Sequence, residues 1–379
     1  MPKTKHSNSF FKFIKILDPI LLHAPELKSQ GNRPLKMTFK DQLNALIYFH
    51  LEEHSSGREL IQYLNEDDFA KEHIAPKGGI QKSSFFEVMN TRGVEQMEYV
   101  FNQLAQKAQK ILPRRYQNLG ELVNIDGSLI QATLSMHWAD YQQKNNKAKV
   151  HIGFNVNQGI PNKIHLTSGK GAERPFLQGV IRPGQTVIGD RGYQEHALFD
   201  QLEEEGKKFV IRIKSNTIKS LIKHNQLEKE GSIFYDAEVY LGEKNSKTKQ
   251  SLRLVAYKVD SKEYWIATNR RDVPAESIAQ MYKLRWDIET FFAWWKKHLG
   301  VYHLIARSEH SLAVQMLAGL ITYILLAIHC HEEHGERVSI KRVRQLRIKI
   351  ENELRESENI AISSATIQDL ERDKALAKT

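Results

Sequence analysis

The chain has 379 residues, 41% hydrophobic and 26% charged, with only 21 Gly and 10 Pro, which excludes disordered and collagen-like chains and allows about two or three domains. Lys plus Arg number 55 against 45 Asp plus Glu, a net charge of +10 that favours a polyanionic partner, nucleic acid first. The single cysteine, Cys330, excludes an internal disulfide framework and any thiolate-rich zinc site, and fits a reducing cytoplasm.

Met1 to Ser9 is basic and polar and no apolar run with a small-residue cleavage site follows, so no secretory signal is expected. The first third reads as helical: Phe39, Leu43, Leu46, Ile47, Phe49 and Leu51 follow three- and four-residue steps, as do Val94, Met97, Val100, Phe101 and Leu104. Between them, Ser56-Gly57 precedes Arg58 to Leu64. The turn Pro76-Lys77-Gly78-Gly79 precedes Gln81 to Asn90, where Ser83 or Ser84 is placed to cap a short helix. This rhythm fits helix-turn-helix DNA binding or a plain helical bundle.

From Gly120 the pattern turns to strands: Leu122 to Asp126, then Lys149 to Val156 and Lys163 to Thr167 as a hairpin about Asn157-Gln158-Gly159. Thr186 to Asp190 is another strand, followed by a helix through Ala197, Leu198 and Leu202 and a strand over Lys208 to Ile213. That alternation predicts an α/β core. Ser232 to Thr268 supplies further strands and reads as a β insertion. Helix returns at Pro274. Leu312 to Ile328, interrupted by Gln315 and Thr322, falls short of the ~20 residues a bilayer requires and reads as a buried helix. Arg337 to Lys349 carries Lys341, Arg342, Arg344 and Arg347 with no acidic residue, a solvated face or a DNA-backbone contact.

Asp126, in Asn124-Ile125-Asp126-Gly127-Ser128, and Asp190, in Ile188-Gly189-Asp190-Arg191-Gly192-Tyr193, are both expected at the ends of apolar strands before glycine-containing turns. A carboxylate at a strand's C-terminal end is held rigidly yet opens onto a cleft, although Asp before Gly is also ordinary turn chemistry. Farther on, Tyr282, Arg285, Glu289 and Lys296 lie three, seven and fourteen residues apart from the first. On a single helix they project at about 0°, −60°, −20° and −40°, one face of roughly 60°. Trp286, Ile288, Phe291, Phe292, Trp294 and Trp295 cover the other faces, so the polar stripe should line a cavity or interface rather than water. Three carboxylates without sulfur form a hard oxygen set suited to Mg²⁺ or Mn²⁺, and two such ions suit in-line phosphoryl displacement.

The spacing Tyr282-(2)-Arg285-(3)-Glu289-(6)-Lys296 resembles the signature of bacterial DDE insertion-sequence transposases of the insertion sequence 4 family, and Asp126 and Asp190 match that family's two aspartate motifs in order. The resemblance covers roughly Gly120 to Leu304. It implies an α/β, RNase H-like catalytic core, a mixed sheet flanked by helices, with a β-rich insertion and helical N- and C-terminal regions. The expected organisation is 1–117 a helical DNA-binding domain, 118–214 the first part of the core, 215–268 the insertion, 269–333 the second part of the core, and 334–379 a basic helical region.

The resemblance further implies cut-and-paste DNA transposition, with Asp126, Asp190 and Glu289 as the triad for two Mg²⁺ (or Mn²⁺) ions. Water cuts at the element's end, the freed 3′-OH attacks the opposite strand to form a hairpin, a second water reopens it, and the 3′-OH then attacks target DNA. Tyr282, Arg285 and Lys296 would hold phosphates. Trp265 would stack on a flipped base, or else pack as a strand residue. The implied partners are double-stranded DNA, as terminal inverted repeats and target, and a second copy in a homodimeric synaptic complex; no membrane is implied, and the location is cytoplasmic, at the nucleoid. The alternatives are a metal-dependent nuclease that does not join, and a non-catalytic DNA-binding relic.

Three further signals carry no site. His50-Leu51-Glu52-Glu53-His54 lacks the Glu that must directly follow the first His of a zinc-protease helix. His329-Cys330-His331-Glu332-Glu333-His334 follows an apolar helix and reads as its polar end, and Gly169-Lys170-Gly171 lacks the spacing of a nucleotide-binding loop.

Overall fold

A computed structural model describes residues 9–27, 35–132, 136–142, 145–172, 174–227 and 231–353. The expectations for Met1 to Asn8 and for the chain beyond residue 353 lie outside them. The chain divides into two units, one comprising the described residues to Leu104, His298–Ala306 and those from His310 onward, the other Ala105–Lys297 and Arg307–Glu309.

The first unit opens with helices α1 (Ser9–Ile14), α2 (Asp18–Leu21), α3 (Phe39–Leu51), α4 (Gly57–Glu66), α5 (Lys82–Thr91) and the start of α6 (Val94–Ile111). Local signals set their starts. Thr38 and Asp41 form a reciprocal capping box before α3, and the Ser56 side chain accepts from Glu59 N before α4. The start of α5 differs from expectation: its N-cap is Gln81, with no side-chain cap, and Ser83 and Ser84 fall inside the first turn.

Among the described residues the second unit is built on ten strands: β1 (Leu122–Ala132), β2 (Asp140–Gln142), β3 (Asn145–Asn155), β4 (Ile160–Ser168), β5 (Thr186–Gly189), β6 (Lys208–Arg212), β7 (Lys219–His224), β8 (Ile233–Leu241), β9 (Leu252–Val259) and β10 (Lys262–Thr268). Helices α7 (Arg174–Val180) and α8 (His196–Glu204) lie in the two crossovers that make β1, β5 and β6 parallel. The sheet runs β2-β3-β1-β5-β6-β10-β9-β8-β7, with β4 also on β3. This is the mixed α/β sheet with flanking helices that an RNase H-like core implies.

The insertion strands continue that sheet, because β10 pairs antiparallel with β6. Ala237, Val239, Leu241, Leu252 and Leu254 therefore share one core with Val123, Ile125, Val187, Phe209 and Ile211, under α7 and α8. A second core on the opposite face joins Leu122, Ile188, Val210, Tyr257 and Ile266 to Ile278, Met281 and Tyr282 of helix α9 (Ala275–Lys283). Burying both faces explains why β5 reads as an uninterrupted apolar run. Strand β7, which the sequence did not announce, is an edge strand with Leu221 and Ile222 about half exposed.

Helix α10 (Trp286–His298) follows α9, and α11 (Glu309–His334) belongs to the first unit. By length and composition α11 is apolar enough to cross a membrane, yet 94% of its most apolar window is buried within the fold. The first histidine of the pair set aside above has a packing role there: buried His50 meets Leu299 O at 2.5 Å through Nδ1 and Gln315 O at 3.1 Å through Nε2. Residues 340–353 are helical; Val343, Leu346 and Ile350 are buried, while Lys341, Arg344 and Lys349 face outward. Arg342 of that basic stretch pairs with Glu336 and Arg347 with Glu53.

Candidate active site

The parallel ladder between β1 and β5 matches Leu122 with Thr186, Val123 with Val187 and Asn124 with Ile188. Carried two residues on, the same register sets Asp126 beside Asp190. Side chains alternate along a strand. Val123 and Ile125 enter the core under α7 and α8, so Asn124 and Asp126 project to the α9 side, and Asp190, next after Gly189, does likewise.

The two aspartates are held differently. Asp190 stands just past the end of β5 and accepts from Gly192 N at 2.8 Å, capping a short 3₁₀ turn over Arg191–Tyr193. Asp126 is not at a strand end. Strand β1 continues through Gly127 to Ala132 because its other edge is paired with β3 from Val123 to Ala132, and only the parallel pairing with β5 stops before Asp126. Gly127 N donates to Asp126 Oδ1 at 2.8 Å.

The polar stripe expected on one helix is split. Helix α9 ends at Lys283, Leu284 and Arg285 form a turn, and α10 begins at Trp286. Tyr282 thus sits on α9, Arg285 in the turn, and Glu289 and Lys296 on α10, so a single projection does not describe them. The four-residue pair survives the break: Arg285 Nη1 meets Glu289 Oε1 at 2.5 Å. Ile288, Phe291, Phe292 and Trp295 are buried as expected, whereas Trp286 is 65% exposed.

Two ties run from this turn and helix to β1. Asn124 Nδ2 donates to Leu284 O at 2.7 Å, and Lys296 Nζ donates to Leu129 O at 2.8 Å. The two ties fix the turn before α10 and the later part of α10 to β1 on either side of Asp126, and Glu289 lies on α10 between them. Phe291 against Phe154, with ring centroids 5.1 Å apart, packs the helix on the same face.

The electrostatics follow from this crowding. Burial raises the Tyr282 hydroxyl above its usual value, with Arg285 and Arg212 opposing and Asp190 adding to the rise. Burial also lowers the Lys296 ammonium, against the charge of Asp126. For Arg285 burial works against the charge, but Tyr282, the bond to Glu289, and the charges of Glu289 and Asp126 outweigh it and hold the guanidinium above its ordinary value. Among the described residues no three His, Cys, Asp or Glu side chains converge as metal ligands, and Glu289 is turned onto Arg285. The chemistry of the set still fits a hard divalent cation, since two aspartates and a glutamate are all oxygen donors.

Trp265 is separated from this group. It alternates with Ile266 on β10 and packs on the α7–α8 face, beside Phe234, Tyr235 and Lys219, whose Nζ lies 4.8 Å from its ring centroid. Its neighbour Tyr264 shares the α9 side, stacked on Tyr257 at 5.2 Å, 6.1 Å from Tyr282 and under the Arg212 guanidinium at 4.7 Å. Sequence reasoning missed Asn124, Tyr257, Tyr264 and Arg212. A lone Asn inside the apolar run Leu122-Val123-Asn124-Ile125 was the legible signal for the first.

A mixed sheet lengthened by inserted strands, with Asp126 on β1, Asp190 just past β5 and Glu289 on α10, has the order of parts that the resemblance to DDE transposases implies. The model of the transposase DDE domain matches residues 118–325, more than half of the chain, and the chain belongs to that family. It is 30% identical over 195 residues to a probable transposase for insertion sequence element IS5377 from Geobacillus stearothermophilus, covering 50% of this chain and 51% of that protein. A putative transposase for insertion sequence element IS4SA from Synechocystis sp. is 26% identical over 245 residues, covering 60% of this chain and 67% of that protein. The chain thus spans about half to two thirds of the length of these relatives. A solved piggyBac transposase synaptic complex with hairpin DNA is similar with a TM-score of 0.43 and 13% identity, covering 92% of this chain and 80% of that chain.

Proposed function

We propose that this chain is an active DNA transposase that excises an insertion sequence and joins its 3′-OH ends to target DNA. The supporting observation is the parallel register of β1 with β5, which if carried two residues on would bring Asp126 beside Asp190, together with the two bonds that tie the start and the later part of α10, the helix of Glu289, to β1. In this reading Asp126, Asp190 and Glu289 hold two divalent ions, Mg²⁺ or Mn²⁺. Bound there, such ions would supply Lewis acidity for the attacking and leaving oxygens of an in-line displacement.

The chain's own residues do the rest. For Glu289 to serve as a ligand it must leave Arg285, and the released guanidinium then has a fork of donors for a backbone phosphate. Tyr282 and Lys296 complete the phosphate grip, and the half-buried setting limits competing water. Terminal repeats and target DNA are the substrates, through a hairpin intermediate, and a homodimer forms the synaptic complex in the cytoplasm at the nucleoid. The helices of residues 1–117 and the basic region 334–379 contribute DNA contacts. Trp265 is assigned base stacking on the sheet face opposite the carboxylates, with Lys219 beside it.

The test incubates the full chain with Mg²⁺, a supercoiled target and precut element ends bearing free 3′-OH groups. Joined product supports the transposase; hydrolysis without joining identifies a nuclease. DNA binding with no cleavage in Mg²⁺ or Mn²⁺ identifies a non-catalytic relic. In Asp126→Ala, unchanged DNA affinity with all cleavage lost assigns the chemistry to this site.

A further inference from the structure

We propose that Asn124 is a positioning residue, holding the Glu289-bearing helix in register with the Asp126-bearing strand; this rests on the transposase reading above. Asn124 is fully buried in an apolar stretch of β1, two residues before Asp126. A buried carboxamide is costly unless bonded. Its Nδ2 makes one bond, 2.7 Å to Leu284 O, and its Oδ1 has no partner among the described residues. The side chain is therefore poorly accounted for by stability, since an apolar residue of similar volume would avoid the orphaned oxygen.

The acceptor's place gives the bond its meaning. Leu284 lies in the turn between α9 and α10, where its carbonyl also accepts from Asp287 N at 3.0 Å, so the turn is tightened and gripped at one atom. Tyr282 precedes that atom; Arg285 and Glu289 follow it. With Lys296 bonded to Leu129 O at the far end, α10 is fixed to β1 on both sides of Asp126. Loss of the Asn124 tie lets the helix start slide, and a slip of one helical residue moves Glu289 about 1.5 Å along Asp126. A misplacement near 1 Å costs on the order of 100-fold in rate.

The experiment uses the full chain as Asn124→Leu, which keeps the number of side-chain heavy atoms and removes both the donor and the orphaned oxygen. Four quantities are read: the melting temperature, affinity for a duplex carrying a precut element end, Mn²⁺ affinity of that complex by calorimetry, and single-turnover cleavage of an uncut end. The expected result is a near-native melting temperature, duplex affinity within about twofold, Mn²⁺ affinity lowered roughly 10- to 100-fold, and cleavage lowered on the order of 100-fold. Asn124→Ala is read the same way if the leucine variant does not fold, and failure of both to fold makes Asn124 a stability residue and overturns the role. An Asn124→Leu protein that binds Mn²⁺ and cuts like wild type overturns the positioning role alone. Wild type that neither binds Mn²⁺ nor cuts overturns the transposase reading, and this inference with it.

Discussion

Replacing Asp236 by alanine is expected to loosen the inserted strands and, through them, the sheet that carries Asp190. Asp236 on β8 is 3% exposed and Arg253 on β9 is 9% exposed, and they meet through Nε to Oδ1 at 2.9 Å and Nη2 to Oδ2 at 2.6 Å. Asn225 Nδ2 donates to the same carboxylate at 2.8 Å, while Arg253 Nη1 reaches the carbonyls of Arg270 and Val273. Removing the carboxylate strands a buried guanidinium, whose two remaining carbonyl partners do not neutralise it. Breaking such a pair costs about 3–5 kcal/mol, a large share of a typical 5–15 kcal/mol total. Asp236→Asn, which keeps an acceptor, should lose roughly half as much. The double variant Asp236→Leu, Arg253→Met should recover part of that loss, because both desolvation penalties vanish together while Asn225 Nδ2 and the carbonyls of Arg270 and Val273 lose their partners. Urea denaturation measures the cost, with hydrogen exchange across β5, β6 and β8–β10 to locate it; guanidinium is avoided because it screens charge. A loss below about 1 kcal/mol for Asp236→Ala, or a double variant as weak as the single, would refute the buried pairing.

Glu289→Gln should abolish strand cleavage while leaving the melting temperature nearly unchanged, since the partly exposed Arg285 pair contributes about 1 kcal/mol or less; retained cleavage removes Glu289 from the site. Arg285→Ala should reduce the slope of log affinity for DNA against log salt by about one, read by fluorescence anisotropy across a salt series. Burial lowers His50 from 6.5 to about 4 against its two carbonyl contacts, so the folded chain holds it neutral above that, donating to one of the two carbonyls. Above pH 6.5 it has no effect on stability; between pH 6.5 and about 4 the unfolded chain takes up a proton that the folded chain does not, and stability falls by up to about 3 kcal/mol. His50→Phe should flatten that part of a pH–denaturation profile. Gly93 has φ +98°, and a Cβ there would run into the Gln42 carboxamide, so Gly93→Ala should cost about 1–3 kcal/mol in thermal unfolding.

The strands and helices whose periodicity is local were legible: α3, α6, the β3–β4 hairpin and the β5-α8-β6 unit lie where the apolar spacing put them. What escaped depends on partners distant in sequence. The Gly127 after Asp126 signals a strand end, but β3 supplies the hydrogen bonds that carry β1 onward. The break at Leu284–Arg285 contains neither Gly nor Pro; it coincides with the bond from Asn124, 160 residues earlier. Which of Trp265 and Tyr264 faces α9 is a parity that only the pairing of β10 with β6 decides, because one step along a strand changes the face. The Arg285–Glu289 pair, by contrast, is a four-residue relation and came through intact.

The seam between β6 and β10 bears on how this chain can be shortened. Residues 215–268 include the strand that caps β6, so excising them would bare the backbone donors and acceptors of β6, one strand from Asp190, and create a sticky border open to other chains. A minimal catalytic fragment must therefore keep β10, or replace it with a surrogate strand of the same register, and any transplanted insertion has to arrive with its own closing hairpin.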